Sequence, residues 1–273
     1  MRTGTVTSAQ NPGIRELLAL QEKSRKRREE GLFAAEGRRE VSRCLDAGFR
    51  AVRLFVCPEI ISAEELSEIV SKIPDSDAAE CELTEIPARL YDRIAFRGGT
   101  EGIIAVVRCR RHSLDDLKLG ENPLIAVLES VEKPGNLGAV LRSADAAGAD
   151  AVIICDPLTD LYNPNLIRSS VGAIFSKQVA TASSEEAIAW LKERGIKILT
   201  AQLQDSELYY DTDMSGACAI VMGTESTGLT DIWRKAADAH IRIPMRGTAD
   251  SLNVSVSAAI LLYEAVRQRL SGK

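Results

Sequence analysis

Two rhythms of apolar and polar positions divide the chain. Up to residue 107, short apolar runs alternate with stretches whose apolar positions recur at helical spacing. The runs 52–56 and 102–107 read as strands, and 14–29, 37–47 and 63–72 as helices, which predicts a small α/β layer structure. Residues 110–123 are polar and close on the helix-breaking pair Asn122 and Pro123. A linker at 113–123 between a first domain at 1–112 and a second at 124–273 follows. From residue 124 the rhythm is plainer. The runs 124–128 and 151–155 are continuously apolar, as strands buried on both faces should be. Further strands follow at 196–199, 217–222 and 241–243, with helical patterns at 137–147, 164–173, 185–194 and 231–238. A long helix rich in Val, Ala, Ile and Leu closes the chain at 252–270. This β/α alternation predicts a mostly parallel sheet with helices on both faces, and ligands in such sheets sit beyond the carboxyl ends of the strands.

Composition changes the picture in three ways. The 45% hydrophobic and 27% charged content over 273 residues is ordinary for a soluble globular protein. No run approaches the roughly 18 apolar residues of a membrane span, and the first residues lack the apolar core of a secretory signal, so a cytoplasmic protein is expected. Net charge is −5, yet residues 1–53 hold 12 Lys and Arg against 7 Asp and Glu, leaving 22 against 32 for the rest. A basic amino-terminal part on an acidic body is the distribution expected when one region handles a polyanion. The densest basic stretch is Lys23, Arg25, Lys26, Arg27 and Arg28. Six cysteines are scattered with no C-x-x-C pair, and the only histidines are His112 and His240, so no metal site is expected. Cys57 and Cys155 lie in apolar runs, where a thiol behaves as a small hydrophobe.

Three strand ends carry unusual chemistry. After 124–128 come Glu132, Lys133, Pro134, Gly135, Asn136, Leu137 and Gly138, leading into a helix with Arg142. Asn136 is placed to cap that helix, and Arg142 starts near its amino end, where a cation opposes the helix dipole. That points either to an anionic partner or to an ordinary surface arginine. After 220–222 a glycine loop runs from Gly223 through Glu225 to Gly228. It matches neither a P-loop nor a dinucleotide fingerprint, which sets aside kinase and oxidoreductase readings. After Ile243 come Pro244 and Met245, then Ser251, Leu252, Asn253, Val254, Ser255 and Ser257. Ser251 is placed to cap the last helix, whose first turns then hold polar groups in an apolar segment. Such groups need partners, from a ligand or a subunit contact.

Taken jointly, these segments resemble the three signature motifs of the SpoU (TrmH-like) family of RNA ribose methyltransferases, within the SPOUT superfamily. The first is matched by Asn136, Gly138 and Arg142, the second by Gly223, Glu225, Gly228 and Leu229, and the third by 243–245 with 251–255. The amino-terminal part resembles that family's substrate-binding domain through Ser8, Gln10, Asn11 and Pro12, through 33–38, and through 102–106.

The resemblance implies an α/β fold with a deep trefoil knot in its carboxyl-terminal domain, plus a small amino-terminal RNA-binding domain. It implies S-adenosylmethionine held largely by backbone groups at Gly223, Ile243 and Leu252, with Ala201 a further member. It implies homodimers, with the 252–270 helix a candidate for the interface. Catalysis falls by resemblance to Arg142, with Asn136, Glu225, Ser251 and Asn253 orienting groups around it. Arg142 is either deprotonated with help from an RNA phosphate or stays charged and clamps that phosphate; a guanidinium is always protonated in water, which favours the clamp. No metal is implied, since the methyl donor is already a cation. Lys23, Arg25, Lys26, Arg27, Arg28, Arg38 and, from a partner subunit, Arg168 are the expected phosphate contacts. Ribosomal RNA, of the large subunit, is the implied substrate ahead of transfer RNA. A non-catalytic RNA-binding or ribosome-assembly protein with the same fold is the alternative.

Overall fold

The computed structural model describes residues 1–96, 101–176, 178–223 and 228–272. The chain forms two compact units, Met1–Arg111 with Asp160–Ser176, and His112–Thr159 with Lys177–Lys273. In chain order the first part carries β1 (Arg2–Thr5), α1 (Pro12–Glu22), α2 (Ser24–Glu30), β2 (Leu32–Glu36), α3 (Arg38–Asp46) and β3 (Ala51–Val56). Then come α4 (Ala63–Val70), α5 (Asp75–Ala78), β4 (Glu82–Glu85), α6 (Ala88–Ile94) and β5 (Ile103–Arg108). Its sheet has the order β1-β4-β3-β5-β2, with β5 antiparallel to both neighbours and the other pairings parallel. The core packs Ile14, Leu17 and Leu20 of α1 and Leu90, Tyr91 and Ile94 of α6 onto Phe55, Ile104 and Val106.

The helix expected over 14–29 breaks at Lys23, whose backbone is extended (φ −113°, ψ 109°). The break lets α2 turn Arg27 inward. Its Nη1 donates to the Leu20 and Gln21 carbonyls at 2.5 and 3.2 Å, and its Nε pairs with Asp160 at 2.5 Å. Arg27 is 2% exposed. The expectation that it contacts phosphate is therefore corrected: its fork is spent on orphan carbonyls at the end of α1 and on a buried carboxylate.

Residues 160–176, expected with the second domain, pack in the first unit. The Tyr162 ring stacks on Phe33 at 4.2 Å between centroids, and Phe175 lies 5.7 and 5.3 Å from Phe33 and Phe49. The Arg110 N–H donates to the Tyr162 hydroxyl at 2.9 Å, and Arg43 Nη1 donates to the Val171 carbonyl at 2.8 Å. The helix expected over 164–173 is accordingly split into α8 (Pro164–Ser169) and α9 (Ala173–Ser176), the chain turning through left-handed Val171 (φ 56°) and Gly172 (φ 78°).

The second unit is built on β6 (Leu124–Glu129), α7 (Pro134–Ala146), β7 (Ala151–Cys155), β8 (Gln178–Ala182), α10 (Ser184–Glu193) and β9 (Lys197–Ala201). They continue with β10 (Glu207–Leu208), β11 (Cys218–Met222), α11 (Asp231–Ala236), β12 (Ala239–Arg242) and α12 (Val254–Leu270). The sheet order is β10-β12-β9-β11-β6-β7-β8, every pairing parallel. One face buries Ile125, Val127, Ile153 and Val221 under Trp190 of α10 and Trp233 of α11. Helix α12 packs on α7, β6 and β11. Strand β8, which the sequence did not reveal, is a half-buried edge of small and polar residues (Gln178, Ala180, Thr181). Among the described residues no helix is long and apolar enough to cross a membrane.

The Arg27–Asp160 pair makes this packing testable. Arg27→Ala strands a carboxylate whose side chain is only 12% exposed, and is expected to cost about 3 kcal/mol of unfolding free energy. Arg28→Ala, on the exposed face, should change it by less than ~0.5 kcal/mol. Urea denaturation of the two variants compares them directly.

Candidate active site

Strand β11 sits between β9 and β6, although β7, β8 and β9 precede it in the chain. Its carboxyl end therefore lies where the strand order reverses, the place where parallel sheets leave room for ligands. A cleft of about 310 Å³ opens there, at the lower end of the size range of small-molecule sites. Ala201, Gly223, Ile243 and Leu252, the four residues expected around a cofactor, all line it. Met222, Leu229 and Ile241 add apolar wall, and Ser251 of the third motif and Ser257 of α12 add hydroxyls.

Backbone crowding dictates the glycine at 223. A Cβ there would stand 2.5 Å from the carbonyl carbon and oxygen of Gly228 and 2.7 Å from the Leu229 nitrogen. No side chain can sit at that separation. Gly228 itself has φ +67°, a left-handed conformation that glycine adopts without strain. The glycines expected from the second motif thus serve two different needs, close approach and backbone handedness. Glu225 lies outside the described residues.

The first and third motifs meet. Asn253 Nδ2 donates to Asn136 Oδ1 at 3.2 Å. Asn253 is also the cap of α12, its Oδ1 accepting from the Ser255 N–H at 3.0 Å and the Ser255 hydroxyl at 2.6 Å. This corrects the cap expected at Ser251, whose hydroxyl instead turns to Asp250 at 3.3 Å. It also gives Ser255 its partner within the chain. Asn136 is not a cap either: α7 begins at Pro134, flanked by Lys133, and Asn136 lies inside its first turn. Arg142 is then more than two turns into the helix, so the dipole argument for its partner fails. It lies exposed on α7, whose Leu137, Gly138, Val140, Leu141 and Ala144 are buried.

Two cleft residues escaped the sequence reading. Gln202 follows β9, and Arg234 rides on α11 beside buried Trp233. Each buries one polar atom, Gln202 Oε1 and Arg234 Nε, that has no hydrogen-bond partner among the described residues. Both side chains bring polar groups to the cleft lining. In sequence neither stands out, because a glutamine after a strand and an arginine on a helix are ordinary surface residues.

The cysteines hold no chemistry here. Burial pushes the thiols of Cys44, Cys57, Cys81, Cys109, Cys155 and Cys218 up, Cys81 and Cys109 to about 11. A buried protonated thiol is inert as a nucleophile.

Of the expected phosphate contacts in the first unit, Lys23 and Arg28 are exposed. Arg25 bonds Glu29 at 2.7 Å, Lys26 bonds Glu30, and Arg38 bonds Glu65. Arg168, exposed on α8, lines a hollow with Arg39, Glu40 and Tyr91.

Two family models match the chain. Residues 123–263 match the SpoU rRNA Methylase family, and residues 11–105 match the MRM3-like substrate binding domain. A Streptomyces viridochromogenes 23S rRNA (uridine(2479)-2′-O)-methyltransferase is 36% identical over 178 residues, 63% of this chain and 62% of its own length. The 23S rRNA (guanosine-2′-O-)-methyltransferase RlmB of Vibrio parahaemolyticus is 32% identical over 225 residues, 80% of this chain and 91% of its own. The crystal structure of an AdoMet-bound rRNA methyltransferase from Sinorhizobium meliloti superposes with a TM-score of 0.88 at 29% identity, covering 97% of this chain and 98% of that one.

The pinch at the second motif predicts that Gly223→Ala forces the two backbones apart, at a cost of about 1–3 kcal/mol. Gly228→Ala, limited to left-handed strain with nothing within 4 Å, should cost about 1 kcal/mol. Thermal unfolding of both variants gives the order.

Proposed function

Because the chain belongs to the SpoU rRNA methylase family, we propose that it transfers a methyl group from S-adenosylmethionine to a ribose 2′-hydroxyl of large-subunit ribosomal RNA. The observation that carries this reading is the gathering of Ala201, Gly223, Ile243 and Leu252 around one cleft, with Asn136 bonded to Asn253. The match of residues 11–105 to a substrate-binding domain favours ribosomal RNA. The reaction belongs in the cytoplasm, where ribosomal RNA is.

The cleft suits this cofactor. Gly223 admits no side chain, so main chain approaches the ligand directly. Met222, Leu229 and Ile241 offer apolar surface to a purine. Arg234 and Gln202, both lining the cleft, suit the carboxylate and ammonium of an amino acid. When bound, S-adenosylmethionine supplies an electrophilic methyl on a sulfonium cation. The protein must then bring a poor nucleophile, a neutral ribose hydroxyl, into line and help its proton leave. Arg142 stays protonated and clamps the phosphate beside the target ribose, its planar fork matching two phosphate oxygens. Asn136 and Asn253, tied together, present amide groups to the nucleotide, and Ser251 adds a hydroxyl. Glu225 keeps its expected orienting role.

Three further features belong to this reading. The carboxyl-terminal segment forms the family's trefoil knot, supported by the late insertion of β11 between β6 and β9 and the return of α12 onto α7. The chain works as a homodimer through α12, where Val256 (47% exposed) and Tyr263 (49%) lie two turns apart on one face. In the first unit Lys23, Arg25, Lys26, Arg28, Arg38 and Arg168 meet phosphates; exposed ion pairs are worth little and exchange readily for them.

Labelled S-adenosylmethionine and total RNA from a strain lacking the gene test the activity. Label in a 2′-O-methylnucleoside of large-subunit RNA is expected. Cofactor binding without label in any RNA would instead favour a non-catalytic RNA-binding protein. Arg142→Ala should cut transfer by roughly 10²-fold or more while cofactor affinity changes only about threefold. Tyr263→Arg should convert the dimer to monomer in light scattering after gel filtration, with activity lost alongside.

A further inference from the structure

The second unit holds a buried polar network apart from the motif residues. Glu129, the last residue of β6, is 3% exposed. Its two oxygens accept separately from Thr230: Oε2 from the backbone N–H at 2.9 Å, Oε1 from the hydroxyl at 2.5 Å. Beside it, Trp233 Nε1 donates to Ser184 Oγ at 2.9 Å, and Ser184 Oγ donates to Asp156 Oδ2 at 2.6 Å. The network joins the ends of β6 and β7 to the starts of α10 and α11. Burying a carboxylate is costly unless its oxygens are bonded, and here they are.

Register gives this arrangement its meaning. Met222 pairs with Leu128 across the parallel β11–β6 ladder, so the next step sets Gly223 beside Glu129. The second-motif loop leaves the sheet at Gly223 and returns through Gly228 and Leu229 to Thr230. Glu129 therefore lies level with the start of that loop and holds its end. Gly223, Gly228 and Leu229 all line the cleft, as does Arg234 one turn beyond Thr230.

We propose that Glu129 is a positioning residue that clasps Thr230, and with it the Gly228–Leu229 backbone, to the end of β6 and so sets the shape of the cofactor cleft. This inference rests on the reading of that cleft as the S-adenosylmethionine site. It acts on cofactor binding and leaves the chemistry at Arg142 and Asn136 untouched. The clasp requires a carboxylate. Both Thr230 groups donate, one to each oxygen, so glutamine would set its amide N–H₂ against one of them. Serine at 230 keeps both donors; valine, of the same shape, loses one.

The test is calorimetric titration of the full-length protein with S-adenosylmethionine, joined to steady-state methyl transfer and hydrogen exchange of the Thr230 amide. Glu129→Gln and Thr230→Val should weaken cofactor binding at least tenfold and raise its KM in step. At saturating cofactor kcat should stay within threefold, and the Thr230 amide should exchange faster in the free protein. Thr230→Ser should rescue all three readings to within twofold of the parent. Folded variants that bind the cofactor within twofold of the parent overturn the clasp and leave the proposed function standing. Variants that lose kcat and KM together overturn it too, since that is the mark of general damage. Should Glu129→Gln fail to fold, the isosteric Thr230→Val decides alone. A parent protein that binds no S-adenosylmethionine overturns the reading of the cleft, and the clasp with it.

Discussion

The carboxyl end of the second sheet depends on how closely two stretches of backbone approach at Gly223. Strand β11 is fixed on both sides, by β6 and by β9, so the chain must leave the sheet at one point. It returns across that point at Gly228, close enough that a single Cβ would stand 2.5 Å from the Gly228 carbonyl. At Gly223 the wall of the cleft is consequently main chain. Main-chain groups lose no rotamer freedom when a ligand binds, and their direction is set by the parallel ladder beneath. Side chains supply the rest of the lining, apolar at Met222, Leu229 and Ile241 and polar at Gln202, Arg234, Ser251 and Ser257.

A second consequence of the sheet is that its two longest helices must share one face. α7 leaves β6 and α12 ends the chain, and they pack on each other. Their amino-terminal ends carry the polar residues of the first and third motifs, so the pairing brings Asn136 to Asn253 without help from any loop. Sites carried on helix starts inherit the precision of the helices. Arg142, on the same α7, stays exposed because the opposite side of the helix does the packing.

Much of this was legible in the sequence, for physical reasons that also explain what was not. Continuous apolar runs such as 124–128 announce a strand buried on both faces, and the spacing of Gly223 and Gly228 announces a tight return. Ala201, Gly223, Ile243 and Leu252 around the cleft were legible through the resemblance of the three motifs, and only the glycines through backbone geometry. Arg27 was illegible: in a run of basic residues nothing in the pattern marks the one that turns inward, and its partner Asp160 is 133 positions away. Residues 160–176 were misplaced for a related reason. Their aromatic contacts, Tyr162 and Phe175 on Phe33, are long-range, whereas periodicity is local. The caps failed by two and three residues: Asn253 caps where Ser251 was expected, and α7 starts after Lys133 with no side-chain cap where Asn136 was expected.

The distribution of charge argues for how the work is divided. The chain is acidic overall and basic only near its start. Several of those cations already have partners: Arg25 with Glu29, Lys26 with Glu30, Arg38 with Glu65. These three pairs are partly or wholly solvent-exposed, and such pairs contribute little to stability, so exchanging any of their carboxylates for a phosphate costs little. A surface of exchangeable pairs gives attraction and rough orientation, strongest at low salt, but it reads no sequence. Recognition of one ribose among thousands must then come from groups whose geometry cannot relax. In this chain the groups held that way at the cleft are Asn136, bonded to Asn253, and the backbone at Gly223, crowded by Gly228.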